Sequence, residues 1–416
     1  MYFQVHQPYR LKPYTIFDSE QNTPYFDDET NNHLLNKVAQ TCYLRTNALL
    51  YDIIQRHPTF RCAFSFSGVF LEQCAEYAPE VLASFQKLVA TGNVEVLGET
   101  YYHSLAFVYS KPEFKKQVKL HSKTIELLFG VTPRVLRNTE LIYQNELADL
   151  AHELGFHGVL AEGAQKILGG RSPHFVYTNH TGHMPLLLKD YQLSDDIAFR
   201  FSDKNWCEHP LTVDTYFDWI NRTHGNGSTI NLFMDYETFG EHQWASTGIF
   251  DFLDHLPDKI LERSDNQFST PSDIIAHHCP VDRVDVPYYT SWADTDRDLS
   301  AWLGNDLQTT AAHALYELEP IINTIDDEAL AHNWRKLQTS DHVYYMCTKW
   351  FNDGDVHAYF NPYDSPYDGF LYFMNSVHNL KRQLHEHRTD HHSSSRSRNE
   401  VSPFHKSSCQ GNDSTT

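Results

Sequence analysis

Two hydrophobic periods alternate along the first 160 positions. Tyr2 to His6 reads as a short core strand that ends in His6-Gln7-Pro8. Leu34, Leu35, Val38, Cys42, Leu49, Leu50, Ile53 and Ile54 then recur at near-helical spacing. Phe60, Cys62, Phe64 and Phe66 alternate with Arg61, Ala63, Ser65 and Ser67, the period of a strand, as far as Gly68. The stripe Val81, Leu82, Phe85, Leu88, Val89 predicts a helix stopped by Gly92, followed by a strand from Val94 to Leu97 on which Glu95 and Glu99 share a face. Phe114, Val118, Ile125 and Leu128 form another stripe, closed by Gly130. A strand from Val135 to Glu140, a helix with Leu147, Leu150 and Leu154, a stop at Gly155 and a strand at Val159-Leu160 complete the series.

Such repeats predict parallel strands joined by crossover helices. With this many units, closure into a barrel is the economical arrangement. From about Leu299 the texture turns helical, with Leu307, Ala311, Ala312, Leu315 and Leu318, and again from Ala329 to Leu337 and on through Met346. The expected fold is therefore α/β, a TIM-like barrel over residues 1–298 with a helical domain over 299–380 packed on it. Residues 381–416 are rich in His, Ser, Arg and Asn; with so little apolar surface to offset ordering entropy, they are expected to form a disordered tail.

Charge narrows the partners. A formal charge of −21 would repel a phosphate backbone and suits a neutral substrate. The 24 Tyr, 26 Phe and 7 Trp offer flat faces for sugar rings, although core packing accounts for most of them. Seven scattered cysteines without a CxxC read as reduced thiols. No apolar run reaches spanning length, and Tyr2-Phe3-Gln4-Val5 already looks like core, so a cytoplasmic protein with no membrane partner is expected.

Within this frame two acids stand out. Glu140 follows Arg137 and Asn138, a cation and an amide that favour an ionised carboxylate. Asp235 sits among Phe233, Tyr236 and Phe239, whose desolvation would keep it protonated. Paired carboxylates of opposite charge state are what glycoside hydrolysis needs, and barrels present such groups at the C-terminal ends of their strands. His103 is expected to bond a sugar hydroxyl, and Trp206, Trp244 and Trp292 are candidate stacking platforms. Asp195-Asp196 with Arg200 reads as an ion-pair cluster beside the cleft. The tail histidines read as solvated rather than metal-binding, and no cofactor is expected.

Five segments carry a resemblance: His6-Gln7-Pro8, Gly92-Asn93-Val94-Glu95-Val96, Arg137-Asn138-Thr139-Glu140-Leu141-Ile142-Tyr143, Met234-Asp235-Tyr236-Glu237-Thr238-Phe239-Gly240 and Asp298-Leu299-Ser300-Ala301-Trp302-Leu303. In this order they resemble the motifs of glycoside hydrolase family 57, in its α-amylase-annotated subgroup. The resemblance implies an incomplete (β/α)7 barrel followed by helices, and a retaining mechanism on α-1,4-glucan oligosaccharides or polysaccharides. It implies Glu140 as nucleophile, Asp235 as general acid/base, and His6, Glu95, Asp298 and Trp302 as sugar-site residues. Family members that transfer or branch glucans carry a Trp just before the nucleophile, where this chain has Arg137-Asn138-Thr139. The competing readings are a 4-α-glucanotransferase with the same carboxylates, a metal-dependent carbohydrate deacetylase, and a catalytically silent glucan-binding protein.

Overall fold

The structure, a computed structural model, describes residues 1–349 and 361–399, with backbone only from residue 389. Among the described residues nine strands run in chain order: β1 (Tyr2–Val5), β2 (Cys62–Phe66), β3 (Val94–Val96), β4 (Val135–Arg137), β5 (Gly158–Glu162), β6 (Val176–Asn179), β7 (Pro185–Lys189), β8 (Phe233–Asp235) and β9 (Arg283–Val284). They form two sheets, ordered β3-β2-β1-β8 and β4-β5-β7-β6-β9. A bridge at Gly98 joins the sheets: its amide donates to Val135 O at 2.9 Å, and Arg137 N donates to its carbonyl at 2.8 Å. At the other seam β7 and β8 share no ladder. They meet where Asp190 N donates to Asn231 O at 2.9 Å and Asn231 Nδ2 to Leu188 O at 3.0 Å. Seven parallel strands thus circle an incomplete (β/α)7 barrel, and β6 is an antiparallel excursion on its rim.

Strand alternation sets what fills the barrel. Tyr2, Ala63, Leu97, Val135, Leu160, Leu187 and Phe233, one from each barrel strand or its end, form an apolar plug. One inward step toward the C-terminal ends, the same strands carry Gln4, Ser65, Glu99, Arg137, Glu162, Lys189 and Asp235. The outward faces bury the amphipathic helices. Gly92, Gly130 and Gly155 all adopt positive φ, as the helix stops read from the sequence require.

The stripe from Leu34 to Ile54 is one helical run with a π turn at Ala39–Tyr43 between Asp28–Val38 and Leu44–Arg56. C-terminal helices from Ser300 onward share a core with β4, β5 and β7, where Leu136, Val159 and Leu186 meet Ala311, Leu315, Trp334 and Leu384. The last helix corrects the expected tail. Pro366–Asn399 is continuous, and Leu384 at its inner face is fully buried, so a core-facing residue anchors a stretch read as too polar to order. Residues 400–416 lie outside the described residues. None of the described helices is long and apolar enough to cross a membrane.

Candidate active site

Glu140 stands just past β4 in a left-handed turn, with φ 57°, and Leu141 follows at φ 50°. This strained pair turns the carboxylate back over the barrel mouth. Two hydrogen-bond donors and the His103 ring hold the side chain, and a further bond holds its backbone carbonyl. Trp292 binds it twice, through its backbone N to Glu140 O at 3.2 Å and its indole Nε1 to Oε2 at 2.8 Å. Ser340 Oγ donates to Oε1 at 3.0 Å, and His103 Nε2 lies 3.3 Å from the same oxygen. Burial opposes ionisation, but the contact with His103 prevails and holds Glu140 below the ordinary carboxylate range. Its side chain retains 16% exposure, so the cleft reaches it from solvent.

Asp235 ends β8 within the polar layer. Burial first, and then the negative field of Glu140, push it up to about 6. The two carboxyls therefore sit on opposite sides of the ordinary carboxylate range, Glu140 below it and Asp235 above it. The expected direction and its cause, desolvation, both hold, but two of the expected rings do not supply it: Tyr236 and Phe239 turn outward into the core under the helices, against Phe3 and Phe64.

His103, at φ 49° and 3% exposed, lies between Glu99 (Nδ1 to Oε2, 3.4 Å) and Glu140. Desolvation would strip its proton. Two ion pairs at this range are worth about 4 kcal/mol each at an effective dielectric near 20, and they win, raising it to about 10. Both ring nitrogens of His103 thus face carboxylates, where the sequence suggests a sugar hydroxyl. Its ring stacks on His6 at 4.0 Å between centroids. His6 in turn bonds Ser67 Oγ at 2.6 Å and Asp341 Oδ2 at 3.0 Å.

A second layer braces these groups. Arg137, over the Trp292 ring at 4.6 Å, is 4.0 Å from Glu99. Its buried Nη2 has no hydrogen-bond partner among the described residues. Lys189, also facing Trp292, pairs with Asp195 at 3.1 Å, and Arg297 bridges Asp195 and Glu162. The expected Asp195 cluster is thus real in place, while Arg200 pairs with Asp196 alone. Glu237 accepts a short hydrogen bond from Tyr43, the last residue of the π turn. Burial and the adjacent Asp235 raise Glu237 to about 8.

Three other expected sugar-site residues lie elsewhere. Glu95 is inward but sits level with Tyr2, at the opposite end of the barrel, where Ser272 N at 2.9 Å and Ser272 Oγ at 2.5 Å bond it. Asp298 accepts from Ser300 N at 2.8 Å and Ser300 Oγ at 2.5 Å, two residues before the short helix Ser300–Leu303. Trp302 is 1% exposed and packs on Tyr344 in the shared core. Spacing along a motif does not tell inward from outward, nor one barrel end from the other. Trp206 packs edge-on against Trp219, whereas Trp244 is half exposed on the loop after β8. Ser340 and Asp341 escaped sequence reading; the polar inward layer was readable from strand alternation alone.

Among the described residues, no three His, Cys, Asp or Glu side chains gather to hold a metal ion, so they do not form the donor set of a metal-dependent deacetylase.

An ionised and a protonated carboxyl at the C-terminal mouth of an incomplete barrel define the glycoside hydrolase class. Residues 1–287 match the profile of Glycosyl hydrolase family 57. A protein from Methanocaldococcus jannaschii named "Putative alpha-amylase" is 40% identical over 398 residues, covering 92% of this chain and 84% of its own. The crystal structure of a GH57-type branching enzyme from Pyrococcus horikoshii superposes with a TM-score of 0.68 at 15% identity, over 92% of this chain and 89% of that one. The 4-alpha-glucanotransferase from Thermococcus litoralis gives 0.65 at 14% identity, again over 92% of this chain, which spans 59% of that protein. The chain belongs to glycosyl hydrolase family 57, and it is a glycoside hydrolase.

Proposed function

We propose that this protein hydrolyses α-1,4-glucans with retention, Glu140 acting as nucleophile and Asp235 as general acid/base. The observation that carries the reading is the divergence of the two carboxyls: Glu140 is held ionised by His103, while burial and the charge on Glu140 keep the Asp235 proton. In the first step Glu140 bonds C1 as the glycosidic bond breaks, and Asp235 protonates the departing oxygen. In the second, Asp235 takes a proton from water, whose oxygen displaces Glu140 from C1. The buried Nη2 of Arg137, without a hydrogen-bond partner among the described residues, and the half-exposed ring of Trp244 are the candidates for sugar contact. The substrate is a neutral α-glucan, in keeping with the acidic surface.

Incubation with maltoheptaose, with products resolved by chain length, tests the activity. Shorter chains alone are expected. Chains longer than the substrate would assign a 4-α-glucanotransferase, and release of no product would remove the catalytic reading.

A further inference from the structure

His103 faces the nucleophile and not the sugar, and its surroundings fix what it can do there. Oε1 of Glu140 accepts from Ser340 Oγ at 3.0 Å and also lies 3.3 Å from His103 Nε2 in an ion-pair contact, so it carries both the hydroxyl and the imidazole. Oε2 receives one neutral donor, the Trp292 indole, and keeps one lone pair. The two carboxylate oxygens are therefore inequivalent before any substrate arrives. We propose that Oε2 is the atom that bonds C1, and that His103 is a positioning residue whose imidazolium, clamped between Glu99 and Glu140, holds Oε1 as the carbonyl oxygen of the glycosyl ester. This rests on the glycosidase reading above.

The consequences fall on charge, and no proton moves through His103. When the C1–Oε2 bond forms, negative charge leaves the carboxylate. When water attacks C1, the electron pair of that bond returns to Glu140, and the charge reappears on both oxygens. A cation already seated on Oε1 stabilises the returning charge, so it favours departure of Glu140 in the second step. Glu99, 0% exposed, supplies the counter-charge that keeps the imidazolium protonated, and Arg137 Nη1 lies 4.0 Å behind it. His6 stacks on the other face of the ring, its own charge partner being Asp341. His121 Nδ1 accepts the backbone N–H of Glu99 at 3.4 Å. The clamp is thus set by Glu99, Glu140, Arg137, His6, Asp341 and His121. Burial lowers both neighbouring imidazoles, leaving His103 as the charged ring of the three.

The test is His103→Gln, assayed on an α-glucoside with an activated leaving group and on maltoheptaose. Gln keeps one donor and loses the charge. The variant is expected to show a pre-steady-state burst, with glycosyl-enzyme detectable by intact-protein mass spectrometry, because the second step falls by about a hundredfold and the first by less. The acidic limb of its kcat/KM profile moves to higher pH as Glu140 loses its cation. A variant that slows without a burst, or that keeps the wild-type acidic limb, overturns the proposal. Should His103→Gln not fold, side-chain nitrogen NMR of the wild-type protein decides: both His103 nitrogens are expected to remain protonated at pH 8, and a neutral ring at pH 7 overturns it. Failure of the glycosidase reading looks different: wild-type protein would then turn over neither substrate, which overturns both.

Discussion

Glu140 and Asp235 carry the same functional group on either side of the ordinary carboxylate range, and their separation predicts the pH dependence of the reaction. Activity on maltooligosaccharides is expected to fall above about pH 6 as Asp235 loses its proton, and to fall in acid only where Glu140 is protonated, below the usual carboxylate range. On a substrate whose leaving group needs no proton, the first step should lose the basic limb. Asp235→Asn is accordingly expected to spare that first step and to slow the natural substrate. The same shift links to stability. A carboxyl raised from 3.8 to about 6 binds its proton more tightly in the folded protein, so its contribution is present at low pH and is lost as pH rises through 6. Asp235→Asn should therefore match wild type near pH 4 and exceed it at pH 7 by roughly 1–3 kcal/mol, read from Tm at both pH values. Glu140→Gln, nearly equal in volume, should lower kcat by more than about 10³-fold with an unchanged circular dichroism spectrum. The sequence set both acids near strand ends, and they do lie at the end of β8 and just past β4. Their partners were not legible: Ser340 reaches Glu140 across 200 residues, and the rings of His103 and His6 meet only in space.

Among the elements, the π turn at Ala39–Tyr43 does what an unbroken α-helix would not. It brings Cys42 Sγ to Tyr236 O at 3.3 Å, Thr41 Oγ1 to Glu241 at 2.7 Å and Tyr43 to Glu237, thereby seating the loop after β8. Gly240 is what lets that loop approach. Its φ is 117°, and a Cβ there would lie 2.0 Å from Thr41 O. Gly240→Ala is expected to cost more than about 2 kcal/mol, seen as a lower Tm together with weakened activity. Hydrophobic spacing announced a helix over this stretch but held no trace of its one-residue insertion, which answers to packing against a loop almost 200 positions away. Pro185-Leu186-Leu187-Leu188-Lys189 shows the complementary blindness. A short apolar run buried on both faces has no period, so β7 and its pairing with β6 could not be told from a helix.

For the molecule as a whole, barrel and C-terminal helices are halves of one machine. The barrel supplies Glu140, His103 and Asp235, while the turn at 339–341 supplies Ser340 to Glu140 and Asp341 to His6. Ser340 N also donates to His103 O at 2.9 Å, and Thr339 Oγ1 to Tyr102 O at 2.9 Å, so the turn is pinned to the loop that carries His103. The two parts share the core around Leu136, Trp334 and Leu384. A protein cut after residue 298 would expose that apolar face and is expected to be insoluble or to lack cooperative thermal unfolding, as calorimetry would register. The change of texture near Leu299 announced helices, and helices do follow from Ser300. The mutual dependence of barrel and helices was not legible, because composition says nothing about which surfaces touch.

The late arrival of Ser340 has a consequence for synthesis. While a ribosome is still adding residues between the barrel and that serine, the emerging polypeptide already holds both acids yet has no finished grip on Glu140. The growing chain should therefore stay inert toward the polymer it is built to cut, and cleavage should begin only as translation of the helical region ends.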